Sequence, residues 1–148
     1  MDHFEIDVIE HEYQHWWDGI EVWVYVKIND SRMPYVLDWY QFFTYAIHTN
    51  GRIPLFNCQC GFFGCGGYYV DVECTDEAWI LRNRYDPNTE KLQQEFEYRI
   101  SWEQVKQVAD TMIAELRTIK QQEPEFARFD PEYYANYQLW GQLPKVDE

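Results

Sequence analysis

Positive charge is scarce in this 148-residue sequence: twelve Lys and Arg stand against 26 Asp and Glu, a net charge of −14. A chain so acidic repels phosphate backbones and anionic bilayer surfaces, so nucleic acid and membrane are excluded as expected partners. Serine is scarcer still, with only Ser31 and Ser101. Neither sits in a G-x-S-x-G elbow, and no G-x-G-x-x-G or phosphate loop occurs, which removes the usual hydrolase and nucleotide signatures. No apolar run approaches the roughly 18 residues that a bilayer span needs. The opening Met1-Asp2-His3-Phe4-Glu5 lacks the basic and apolar regions of a signal peptide. A cytoplasmic location is therefore expected, and in a reducing compartment the four Cys are not expected to form structural disulfides.

Aromatic residues, by contrast, make up 19% of the chain, with seven Trp and twelve Tyr. That is more than a core of this size needs, so some rings are expected at a contact surface, where an apolar body with a polar tip is useful. Length and composition fit a single domain over residues 1–148, able to bury a core without metal or disulfides.

Alternation dominates the N-terminal region. Phe4, Ile6 and Val8 alternate with Glu5 and Asp7, and Ile20, Val22, Val24, Val26 and Ile28 alternate with Glu21, Trp23, Tyr25 and Lys27. With Asp18-Gly19 as a turn signal, residues 3–28 read as an antiparallel hairpin, aliphatic on one face and acidic and aromatic on the other. Residues 35–48 follow a helical spacing from Pro34 to Asn50-Gly51. Strands are expected over 52–56, 68–74, 78–85 and 94–100. Ser101-Trp102-Glu103-Gln104 reads as a reciprocal capping box. It opens a helix to about Gln122 with an apolar stripe of Val105, Val108, Ala109, Met112, Ile113, Leu116 and Ile119. Pro124 ends that helix, and residues 124–148 form an aromatic-rich tail in which a short helix is expected to pin onto the body. The expected fold is α+β, an antiparallel sheet of about five or six strands with two main helices on one face.

Three of the four Cys cluster in Cys58-Gln59-Cys60-Gly61-Phe62-Phe63-Gly64-Cys65, and Cys74 follows one strand later. Four thiols at short spacing, with glycines to let the chain wrap an ion, give a zinc reading with Cys58, Cys60, Cys65 and Cys74 as ligands. The spacing C-x-C-x4-C-x8-C departs from the C-x2–4-C knuckles of structural zinc sites. The leading reading is therefore small apolar side chains packing a glycine-rich turn, with no cofactor. A nucleophilic Cys would need a basic neighbour, and the surroundings are aromatic and acidic. The segment resembles a C-x-C-G-x-x-G-C turn found in small, uncharacterised bacterial proteins. There the turn is followed by a strand, a Trp-bearing strand, an aromatic strand and a helix. The resemblance spans roughly residues 53–120, through Tyr68–Cys74, Trp79, Phe96–Tyr98 and the Trp102 helix, and it implies an order of elements but no activity.

His11-Glu12-Tyr13-Gln14-His15 matches the H-E-x-x-H pattern of zinc proteases. On a helix those His would share one ion; on a strand they stand roughly 13 Å apart, so the match is set aside. No catalytic constellation remains, and no enzymatic activity is expected. Eight of the acids fall within residues 1–30 against one base, Lys27. Glu5, Asp7, Glu10, Glu12, Glu21, Trp23 and Tyr25 are accordingly the expected partner-binding set, with acids to speed encounter and rings to supply contact area. In size, acidity and aromatic face the chain is similar to immunity proteins of bacterial toxin systems, including contact-dependent inhibition. That resemblance implies an inhibitor of a basic protein such as a toxin domain.

Overall fold

The N-terminal alternation folds as a long hairpin in the computed structural model, which describes residues 1–57, 68–83 and 95–141. Strands β1 (Phe4–Gln14) and β2 (Gly19–Ile28) pair from Phe4↔Ile28 to Gln14↔Gly19. Asp18 closes the turn with φ 57°, a left-handed conformation that Asp tolerates. Gly19 follows because the Trp17 ring lies on it: a Cβ there would sit 2.1 Å from a ring carbon.

The register shifts between Ile6 and Val8. A β-bulge at this point places one extra residue on β1 and reverses the faces beyond it. Val8, expected on the aliphatic face, therefore lies opposite Tyr25, and Ile9 takes the inner position opposite Val24.

Two further short strands join the sheet. β3 (Ser31–Arg32) pairs with β2, and β4 (Val36–Leu37) lies between β2 and β5 (Gly51–Asn57). The sheet continues through β6 (Tyr68–Cys74), β7 (Trp79–Asn83) and β8 (Phe96–Ile100), all pairs antiparallel. The α+β class and antiparallel sheet stand, but the described residues hold eight strands rather than five or six. The difference comes from β3 and β4, each two residues long and too short to show a period.

Val36 and Leu37 also correct the expected helix over 35–48. Both are buried in the sheet, and only at Asp38 does the chain turn helical, with its carboxylate accepting from the Gln41 amide at 3.0 Å. Helix α1 (Trp39–Gln41) then widens into a π-helical turn, Phe42–Ala46, that buries Phe42, Phe43 and Ala46.

Helix α2 (Trp102–Gln122) buries the seven stripe residues expected of it. Only half of the expected capping box forms. Ser101 Oγ accepts from the Gln104 amide, but the Gln104 side chain reaches across to accept from the Phe4 amide at 2.6 Å. That bond ties the helix start to the hairpin. Asp2 reinforces it with a parallel bridge to Ile100, so the residues just before β1 meet the last strand, β8, and the sheet is curled.

Trp79 sits at the centre of the core, fully buried, stacked on Phe4 at 5.5 Å and edge-on to Phe42 at 5.8 Å. Its Nε1 donates to the Ala46 carbonyl at 2.7 Å. After α2, helix α3 (Pro131–Ala135) packs back onto α2, clamped by the Arg117 guanidinium on both oxygens of Glu132 at 2.7 and 2.9 Å. Among the described residues no helix is long and apolar enough to cross a membrane.

Candidate functional site: the outer face of the hairpin

Cross-strand register decides which side chains share a face. The outward residues of β2 are Glu21, Trp23, Tyr25 and Lys27, alternating with the buried Ile20, Val22, Val24, Val26 and Ile28. Opposite them on β1 lie Glu12, Glu10, Val8 and Glu5 in turn. Asp7, the extra residue of the bulge, joins the same side through its ion pairs with Lys27 and Arg32. All seven residues expected at the partner surface thus share one face. The bulge is what permits this, because Glu5 and Asp7 are out of phase with Glu10 and Glu12 along a regular strand.

The face divides at the bulge. In its proximal half, toward β3, charge is matched. Asp7 is bound by the Arg32 guanidinium and lies 3.4 Å from Lys27 Nζ. The Arg32 hydrogen bond leads in holding the Asp7 carboxyl below the usual range. Arg32 also lies over the Tyr25 ring, 4.8 Å from its centroid. Glu5 stands opposite Lys27 and contacts His3 at 3.2 Å.

The distal half, toward the turn, is different. Glu10, Glu12 and Glu21 make no ion pair or hydrogen bond among the described residues. Glu12 faces Glu21 directly, a like-charge pair that the fold would be better without. Glu21 is half-buried, and burial pushes its carboxyl upward. Half-buried Trp23 stands opposite Glu10. Beyond it the turn presents Trp16, 74% exposed, and Trp17, whose buried Nε1 has no hydrogen-bond partner among the described residues.

Other expected residues fall elsewhere. His11 lies in β1 opposite Val22, whereas His15 lies in the turn, its ring edge-on to Tyr13 at 4.9 Å. Among the described residues no group of three or more His, Cys, Asp or Glu is placed to hold a metal. Cys74, the last residue of β6, is buried, its thiol donating toward the carbonyls of Ala46 and Thr49 at 3.6 and 3.8 Å. Burial leads in pushing that thiol up to about 12, an environment suited to a thiol. Cys58, Cys60 and Cys65, with the glycine-rich turn, lie outside the described residues.

Sequence reasoning missed Arg32, which decides where the acidic face is neutralised. A lone Arg four residues past the end of the Ile20–Ile28 alternation carries no signal of that role. No protein-family model, curated protein or solved structure matches this chain.

Proposed function

We propose that this chain is a protein-binding inhibitor of the immunity type, whose acidic hairpin face docks on a basic partner such as a toxin domain. The observation that carries the proposal is the distal half of that face, where Glu10, Glu12 and Glu21 have no cation among the described residues and stand near Trp23 and the exposed Trp16. Uncompensated carboxylates raise the encounter rate with a cationic surface, and Trp is the ring most enriched at binding hot spots. A blander account is that acids on an edge strand prevent edge-to-edge pairing. It covers Glu10, Glu12 and the bulge, all on β1. Glu21 and Trp23 lie outside it, because β2 is an interior strand.

The test is association kinetics with a cationic toxin domain encoded beside this chain. The variant Glu10→Gln/Glu12→Gln/Glu21→Gln should associate about tenfold more slowly at low ionic strength. The two rates should converge as salt screens the field. Equal rates at low salt would remove the proposal.

A further inference from the structure

Next to the turn, the inner side of the hairpin opens into a cleft of about 450 Å³ lined by His11, Glu12, Tyr13, Ile20, Glu123 and Phe126. We infer that this cleft receives one arginine side chain of the partner, an inference that rests on the proposed docking of a basic protein. Its walls are apolar where a side-chain stem would lie: Ile20 is buried, and the Tyr13 ring meets Phe126 edge-on at 4.9 Å. Its rim is anionic, with Glu12 on β1 and Glu123 at the end of α2. The carbonyl end of α2 adds partial negative charge at the same place. Glu12 belongs both to the outer face and to this rim, so the two surfaces are continuous.

The cleft is held in shape without a ligand. The Ile20 amide donates to the Phe126 carbonyl at 2.9 Å, and the Phe126 and Ala127 amides both donate to the Glu123 carbonyl. Tyr13 is fixed by its hydroxyl, which donates to Asp18. The nearby cations are committed elsewhere. Lys120 Nζ donates to the Ala127 carbonyl, and Arg128 donates to the Asp18 carbonyl at 2.9 Å. Glu12 and Glu123 therefore have no cation among the described residues.

Ligand chemistry follows from this lining. Two carboxylates repel an anion. A neutral apolar group would desolvate them without compensation. Among the described residues no group of three or more His, Cys, Asp or Glu is placed to hold a metal. A guanidinium satisfies all parts at once: its stem lies on Ile20, its plane stacks on an aromatic ring, and its fork reaches carboxylates. A lysine ammonium offers the charge without the plane.

Amide NMR of the full chain, titrated at low ionic strength with acetyl-Gly-Arg-Gly-amide, tests the assignment. The arginine peptide should shift the amides of Ile20, Glu123 and Phe126 saturably. The peptide with neutral citrulline in place of arginine should not, and the lysine peptide should bind more weakly. In Glu12→Gln/Glu123→Gln the arginine affinity should fall about tenfold or more. Equal shifts with citrulline or lysine, or none at these amides, would overturn the inference. A separate pair of variants keeps it distinct from the docking proposal. If Glu10→Gln/Glu21→Gln slows partner association while the peptide leaves the cleft amides unmoved, the cleft is wrong and the face stands. If the peptide binds there but that variant associates at the normal rate, the face is wrong.

Discussion

Beneath the proximal half of the hairpin, Phe4, Val26 and Ile28 join a large core that runs through the sheet, the π-helical turn and α2. Beneath the distal half, Ile20 and Val22 share a small cluster with Leu116, Ile119 and Ala127. The same contrast holds on the outer surface. Proximal Asp7 has Arg32 and Lys27, and the distal Glu10, Glu12 and Glu21 have none among the described residues. One pair of strands thus carries a well-packed, charge-matched end and a thinly packed, charge-unmatched end. Proximal acids act as parts of the fold, whereas distal acids work against it, and a surface that opposes its own stability is where a binding role is best sought. Shallow packing also lets an end open locally at lower cost than global unfolding.

Two truncations should break that comparison most strongly. Trp79→Ala removes the ring that stacks on Phe4 and the bond to Ala46, and should cost about 3–5 kcal/mol in urea unfolding. Leu116→Ala, in the smaller cluster, should cost about 2–4 kcal/mol. Hydrogen exchange separates the two. Leu116→Ala should accelerate the amides of Ile20 and Val22 well before those of Val26 and Ile28. Uniform acceleration along β2 would mean that the hairpin opens as one unit.

Smaller effects with opposite pH dependence should follow from Asp7 and Glu21. Asp7 is held below its ordinary range by Arg32, so its contribution is present above the unfolded-state value and lost as pH falls through the lower folded-state value. Asp7→Asn should therefore lower stability near neutrality and flatten the acid limb. Glu21 is raised by burial, so its ionisation costs stability as pH rises from the unfolded-state value through the higher folded-state value. Glu21→Gln should stabilise at neutral pH, by about 0.5 kcal/mol with relief of the Glu12 repulsion, and have little effect once both forms are neutral in acid. Urea titrations across the acid range would show both. Matching signs for the two variants would erase the distinction between the halves.

What the sequence made legible were features set by a local period. The alternation of Ile20 to Ile28 fixed the inner face of β2, and the stripe from Val105 to Ile119 fixed the buried side of α2. What stayed hidden depends on pairing between distant segments. The bulge at Asp7 exists only relative to β2, so no inspection of β1 alone reveals that Val8 turns outward. Val36 and Leu37, two adjacent apolar residues, suit a helix or a strand equally until β5 lies beside them. Gln104 had a good local partner at Ser101 and took the Phe4 amide instead. The cleft joins Tyr13 to Phe126 across most of the chain, and no spacing rule connects them.

Glu123 offers the finest test of the contrast, because it carries the distal imbalance onto a second element. It occupies the end of α2, where unpaired carbonyls already concentrate negative charge, and its backbone amide donates to Ile119. A carboxylate there is placed against the helix dipole. Lys120, the one basic residue of the last turn, is turned toward Ala127. Glu123→Gln should therefore raise stability by about 0.5 kcal/mol, an effect that fades as salt is added. A helix free of other demands would favour Gln at this site. If thermal and urea unfolding instead show that Glu123→Gln weakens the fold, the carboxylate has a structural partner, and the distal end loses its claim to be strained in the service of binding.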